Sequence, residues 1–235
     1  MKKFCFAPAE IVSLPIHQTD SFFPVRRIFC VGLNYAKHTQ EMGGNPDRDA
    51  PLLFSKPPQA LLAAKTMADI IRLPYPTETN ELHHEIELVV AIGKNVSSQM
   101  NMSDIEQSIF GYALGLDMTR RDKQLELKKQ GRPWDIAKSF EDSTPISPIV
   151  LSPHFQALPQ HTISLKRNQT LVQQATLAEM IWSCQELIHE TSRFFTLQAG
   201  DLIFTGTPSG VGEVKKGDLL EGSIGDSLYL QAQVF

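Results

Sequence analysis

The stretch His83-His84-Glu85-Ile86-Glu87-Leu88-Val89-Val90-Ala91-Ile92-Gly93 sets two carboxylates at alternate positions ahead of an apolar run rich in β-branched residues. Such a run reads as the start of a buried strand. Strand side chains alternate between faces at about 3.3 Å per residue, so Glu85 and Glu87 point the same way with bases roughly 6.6 Å apart. Two carboxylates on one face repel each other and resist desolvation, and a shared divalent cation answers both problems. A hard, oxygen-seeking ion, Mg²⁺ or Mn²⁺, suits these donors better than zinc. A pair of solvated glutamates at a strand end satisfies the same pattern, so the choice rests on the rest of the chain.

Downstream, Phe110-Gly111-Tyr112-Ala113-Leu114-Gly115-Leu116 reads as a second apolar strand. Asp117 at its end is placed either as a third ligand or as the cap of the next turn. Thr119-Arg120-Arg121-Asp122 opens a helix to about residue 130, with Gly131 past its end and Pro133 as the stop. Arg121 and Gln124 share a face of it. Beside Asp117 they would hold a substrate carboxylate and keto oxygen, and elsewhere they are ordinary surface residues. Trp134-Asp135-Ile136-Ala137-Lys138-Ser139-Phe140 carries a lone lysine, of a kind that commonly extends its ammonium to water.

Upstream, Arg26-Arg27-Ile28-Phe29-Cys30-Val31-Gly32 reads as a strand, followed by Asn34 as N-cap of a helix over residues 35–42. His38 and Glu41 lie three apart on that helix, a spacing that lets a carboxylate orient an imidazole and that also describes a surface pair. Gly43-Gly44-Asn45-Pro46 marks a mobile connection, which would let the helix act as a lid. Leu52-Leu53-Phe54-Ser55-Lys56-Pro57-Pro58 is a short strand ended by prolines.

Ser103-Asp104-Ile105-Glu106 and Thr176-Leu177-Ala178-Glu179 are capping boxes. The second opens a scaffold helix whose apolar period runs from Leu177 to Phe195, and His189 on it reads as structural or surface. Leu202-Ile203-Phe204-Thr205-Gly206-Thr207-Pro208-Ser209-Gly210-Val211-Gly212 is a strand entering a glycine-rich turn. The turn matches neither a Walker A loop nor a dinucleotide fingerprint. It either offers N–H groups and the Thr207 hydroxyl to an anionic ligand or closes as a plain hairpin.

At 235 residues, with 42% hydrophobic and 20% charged residues, the composition is that of an ordinary soluble protein. Residues 1–25 read as a short N-terminal segment without chemistry, broken by Pro8, Pro15 and Pro24, and residues 26–235 as a single catalytic domain. A net charge of −4 and the lack of a basic stripe exclude nucleic acid as a partner. Cys5, Cys30 and Cys184 fit neither a disulfide framework nor a zinc pattern, which points to the cytoplasm. The first residues do not read as a signal peptide, and no apolar run reaches membrane-spanning length, so no membrane contact is expected.

Five ordered blocks together resemble the fumarylacetoacetate hydrolase family. They are Gly32-Leu33-Asn34-Tyr35-Ala36-Lys37-His38 with Glu41, His84-Glu85-Ile86-Glu87-Leu88, Gly115-Leu116-Asp117-Met118-Thr119-Arg120-Arg121-Asp122, Ala137-Lys138-Ser139-Phe140, and Gly200-Asp201 through Gly212. The likeness is to the short members that act as acylpyruvases or handle oxaloacetate. It implies an α+β, mainly β fold, a mixed β-roll with peripheral helices, and a homodimer. It implies that Glu85, Glu87 and Asp117 bind Mg²⁺ or Mn²⁺, that His38 and Glu41 form an acid/base dyad on a closing lid, and that Lys138 is a site lysine. Tyr35, Arg121, Gln124 and Thr207 match positions implied to bind a small 2-oxo acid. The expected reaction is hydrolysis of a C–C bond in acylpyruvates. Decarboxylation or keto–enol tautomerisation of oxaloacetate, and isomerisation of a 2-oxo-heptenedioate, use the same first contacts and stay open, as does ligand binding on an inactive scaffold.

Overall fold

Strand Ile86–Ile92 is buried at every position, because its two faces enter two different cores. Ile86, Leu88, Val90 and Ile92 share one core with Ile163, Leu165, Leu220 and Leu230. Val89 and Ala91 share the other with Ile28, Leu202 and Phe204. A near-continuous apolar run, not an alternating one, is what a strand covered on both faces requires. The computed structural model describes residues 3–41, 50–155 and 158–235.

Ile86–Ile92 lies inside an eight-stranded sheet ordered Leu52–Lys56, Arg27–Gly32, Asp201–Phe204, Ile86–Ile92, Ile109–Leu116, Thr144–Ile146, Leu61–Ala63, with Val150–Leu151 also on Ile109–Leu116. The sheet is mixed: Asp201–Phe204 runs parallel to Arg27–Gly32 and antiparallel to Ile86–Ile92. A five-stranded sheet, Thr170–Thr176, Thr162–Arg167, Leu219–Ile224, Leu228–Val234 and Ile70–Leu73, covers the first core. Among the described residues five short helices sit at the periphery: α1 (Ala36–Glu41), α2 (Met102–Glu106), α3 (Arg121–Gln130), α4 (Asp135–Lys138) and α5 (Cys184–Ser192). This is the mainly β, mixed architecture that the family resemblance implies.

Register does the positioning. Ile86 stands opposite Leu116, so the next residues outward, Glu85 and Asp117, are neighbours, and the Asp117 N–H donates to the Glu85 carbonyl at 2.8 Å. A three-stranded sheet of Thr119–Arg120, Leu82–His84 and Gly212–Glu213 then anchors the start of α3 and the far side of the glycine-rich turn around the same point.

Three local expectations are corrected. Asn34 does not cap α1: its Nδ2 donates to the Trp182 and Thr205 carbonyls, and its Oδ1 accepts the Trp182 N–H. Asn34 also takes the Ile181 N–H on its carbonyl, pinning residues 180–182 in a non-helical path. The scaffold helix expected from Leu177 to Phe195 is therefore split. Thr176 caps only a single 3₁₀ turn, Leu177–Glu179, and a second capping box, Ser183 with Glu186, starts α5. Helix α2 is capped by Asn101, whose side chain accepts the Asp104 N–H, and not by Ser103. The leading segment carries a hairpin, Ser13–Pro15 with Phe22–Pro24, whose Leu14 and Phe23 complete the second core. The Gly43–Pro46 connection expected to hinge a lid lies outside the described residues.

Leu88 is fully buried on the strand that holds both cores. Leu88→Ala should lower unfolding free energy by about 2–5 kcal/mol, read as a shift in urea midpoint at unchanged slope.

Candidate active site

Glu85, Glu87 and Asp117 each present a carboxylate oxygen within 4.8 Å of the other two, and all three residues are buried. Glu85 and Glu87 share a face because Ile86 between them turns into the inter-sheet core. Asp117 reaches them from the neighbouring strand end.

Buried carboxylates persist only with partners. Lys138 donates to Glu85 at 2.7 Å and to Asp117 at 2.5 Å. Lys56 donates to the other oxygen of Asp117 at 2.6 Å, and Arg121 pairs with Glu85. Burial works against ionisation of Glu85, but the charges of Lys138 and Arg121 outweigh it and hold the carboxyl below its ordinary range. Burial likewise disfavours the Lys138 ammonium, yet Asp117 and Glu85 keep it charged and push its pKa up. Lys138 thus does not snorkel; it is fixed between two acids.

Glu87 stands apart. Among the described residues, the hydrogen bond to its carboxylate comes from the Gly206 backbone N–H at 2.7 Å. Burial, then the nearby Asp117 and Glu85 charges, push its pKa well up. A hard dication relieves this state, since it would replace a proton with charge that all three acids share. The donor set therefore fits Mg²⁺ or Mn²⁺, with Glu85, Glu87 and Asp117 as the residues that would hold it.

His38, on α1, lies with Glu85, Arg121, Gln124 and Lys138 around one cavity. Its Nδ1 is 3.2 Å from the Glu41 carboxylate. The Gly210 backbone N–H donates to the same carboxylate at 3.2 Å. The glycine-rich turn thus directs two N–H groups at protein carboxylates, Gly206 at a triad member and Gly210 at the dyad. Gly206 has φ +94°, and a Cβ there would stand 2.8 Å from the Asn34 Cβ, so no larger residue fits. On α3, the Arg121 guanidinium donates to the Gln124 side-chain carbonyl, and Thr207 donates to the Ile86 carbonyl at 2.8 Å. Of the residues expected to bind substrate, Arg121 and Gln124 line the His38 cavity and Thr207 and Tyr35 do not; Tyr35 is buried and lines a separate small cavity with Pro208 and Glu179.

Two residues escaped the sequence reading. Lys56 sits where a short strand meets Pro57, and only its alternation with Phe54 hints that it turns inward. Gln173 carried no signal at all. It is buried, and its Oε1 accepts from the Ile86 N–H at 3.2 Å and faces His84 Nδ1 at 2.9 Å. Its Nε2 donates to Thr207 Oγ1 at 2.9 Å and to the Pro208 carbonyl at 2.8 Å. The backbone groups at each end fix which way the amide points, so His84 must carry its proton on Nδ1. Gln173 clamps the strand holding the two glutamates to the glycine-rich turn.

A curled, mainly β scaffold with a carboxylate triad buried beside a histidine–glutamate pair defines a class of metal-site enzyme architecture. Residues 27–235 match the family model of the fumarylacetoacetate (FAA) hydrolase C-terminal domain, and the chain belongs to that family. The chain is 42% identical over 199 residues to the oxaloacetate tautomerase of Escherichia coli K12, covering 84% of this chain and 88% of that protein. It is 41% identical over 199 residues to the human mitochondrial oxaloacetate tautomerase, covering 85% and 87%. The crystal structure of fumarylpyruvate hydrolase from Pseudomonas aeruginosa, in complex with Mn²⁺ and pyruvate, superposes with a TM-score of 0.94 at 43% identity over 99% of both chains. No helix among the described residues is long and apolar enough to cross a membrane.

Gln173→Leu would strand the Ile86 N–H and the Pro208 carbonyl in the interior, and should cost at least about 2 kcal/mol in chemical denaturation. His83 is held neutral down to about 4, first by burial and then by the Arg121 charge. The unfolded chain protonates this imidazole near 6.5, so between those values the unfolded state binds more protons and stability rises with pH. Melting temperature of metal-free protein should therefore fall as pH drops from about 6.5 towards 4, and His83→Gln should flatten that slope.

Proposed function

We propose that this protein is a divalent-metal-dependent hydrolase that cleaves the C–C bond of acylpyruvates, yielding pyruvate and a carboxylic acid. The observation that carries the reading is the His38–Glu41 pair set on the cavity that also holds Glu85, Arg121 and Lys138. When bound by Glu85, Glu87 and Asp117, Mg²⁺ or Mn²⁺ supplies a Lewis acid for the oxygens of the 2-oxo acid.

The chain's own residues do the rest. Glu41 holds the proton on His38 Nδ1, which leaves Nε2 to take a proton from water. The hydroxide adds to the acyl carbonyl carbon. The bond between that carbon and the pyruvyl methylene breaks, its electron pair passes to the pyruvyl fragment as an enolate, and the proton held by His38 returns to the methylene carbon. Lys138 keeps an ammonium beside the developing negative charge, while Arg121, Gln124 and Thr207 orient the carboxylate and keto oxygens. Tyr35 stands just ahead of α1, bridged to Met180. Cys30 and Cys184 are buried free thiols and Cys5 an exposed one, which supports a reducing compartment; we place the enzyme in the cytoplasm.

A second reading is keto–enol tautomerisation of oxaloacetate, favoured by the names of the Escherichia coli and human relatives. It needs the same carboxylates and a proton carrier, but no attacking water.

A turnover panel with Mg²⁺ or Mn²⁺ and acetylpyruvate, fumarylpyruvate or oxaloacetate, following C–C cleavage and enol disappearance separately, decides between them. Metal-dependent cleavage of an acylpyruvate is expected; enol disappearance without cleavage would transfer the assignment to the tautomerase. His38→Ala should lower kcat for cleavage by about 10²–10⁴-fold with Mn²⁺ affinity retained by calorimetry.

A further inference from the structure

The cations buried with the triad do not all face the same way. Lys138 and Arg121 line the His38 cavity, whereas Lys56 does not. Lys56 ends the strand Leu52–Lys56, and its side chain is fully buried, as is that of Asp117. Its ammonium donates to Asp117 Oδ1 at 2.6 Å and to the Ser143 carbonyl at 3.3 Å, with the Phe140 ring centroid 5.9 Å away. Among the described residues, Lys56 therefore bears on the triad through Asp117 and not through the substrate cavity.

What Lys56 gives Asp117 is more than an orienting hydrogen bond. Asp117 accepts from Lys56 on Oδ1 and from Lys138 on Oδ2, so both of its oxygens already direct electron density at an ammonium. A carboxylate drawn on in this way is a weaker donor to a further cation. A fixed positive charge one carboxylate away from a dication also repels it, in surroundings that screen poorly. An ion held by weakened donors keeps more of its own charge, and that charge polarises the oxygens of a 2-oxo acid. A neutral donor at position 56 would orient Asp117 without either effect.

We propose that Lys56 is a positioning residue which, through Asp117, loosens the triad's hold on its divalent ion and leaves that ion the stronger Lewis acid. This rests on the reading of Glu85, Glu87 and Asp117 as the residues that hold Mg²⁺ or Mn²⁺.

The test reads Mn²⁺ affinity by chelator competition, starting from the loaded protein, so it needs neither turnover nor a stable metal-free form. Lys56→Gln removes the charge and keeps a donor beside Asp117. It should bind Mn²⁺ roughly tenfold to a hundredfold more tightly, while kcat for whichever 2-oxo acid the parent turns over falls by about tenfold. Loss of a residue that only supported the fold would loosen the ion instead. Lys94, exposed just beyond the far end of strand Ile86–Ile92, controls for net charge, and Lys94→Gln should leave both values where they are.

Lys56→Met serves if Lys56→Gln does not fold. A more tightly held ion stabilises the native state, so the variants should melt cooperatively in saturating Mn²⁺. Mn²⁺ held equally or more weakly without the Lys56 charge, tighter binding with undiminished kcat, tightening matched by Lys94→Gln, or failure of both variants to fold with Mn²⁺ present overturns the proposal. A parent protein that binds no Mn²⁺ would retire the metal reading itself. Tighter Mn²⁺ and slower turnover in Lys56→Gln, on a parent that does not cleave acylpyruvates, would retire the hydrolase reading alone and leave the role of Lys56 standing.

Discussion

Charge compensation inside a buried pocket is the constraint on which this molecule depends. Glu85, Glu87 and Asp117 are almost fully buried, and so are Lys56, Arg121 and Lys138. Neither set could be buried without the other, because an isolated charge in the interior costs several kcal/mol. Among the described residues, pairing leaves one acid, Glu87, supported by a backbone N–H rather than by a cation. That uneven arrangement separates a site for a dication from a closed structural ion-pair network.

The fold delivers the six groups from separated parts of the chain. Two come from the head of the central strand and one from the end of its antiparallel neighbour. The cations come from an edge strand, from the first turn of α3 and from the last residue of α4. Rigid strands buried on both faces hold the carboxylates, whereas the acid/base pair sits on α1, a short helix. Among the described residues, its ties to the body of the protein include Asn34 just ahead of it, the Gly210 N–H on Glu41 and the Lys37–Glu179 ion pair. A fixed cation-binding core beside an acid/base element carried on a short helix suits a reaction in which substrate must enter before the proton carrier is aligned.

Gln173 gives the core its second layer. It satisfies donors and acceptors on the metal-ligand strand and on the glycine-rich turn at once, without itself belonging to the triad. Side-chain amides suit this role because both ends are polar and uncharged, so a strand and a turn can be joined without adding to the local field.

Local sequence determined those features that depend on period and end chemistry. The buried run after Glu85 had to be a strand, alternation had to bring Glu85 and Glu87 to one face, and Gly131 had to end α3, where it adopts φ +63°. The ordered motifs also fixed the family and, through it, the mixed sheet. Tertiary structure alone decided which charges meet. Lys138 has the local look of a snorkelling lysine and Lys56 that of a strand-end one, yet both are fully enclosed by acids far away in sequence. The helix expected from Leu177 onward was broken for the same kind of reason: Asn34, almost 150 positions earlier, takes the Ile181 and Trp182 N–H groups that the helix would have used. Periodicity reports a segment's own preference between faces, and it carries no information about the distant partner that satisfies a buried polar group.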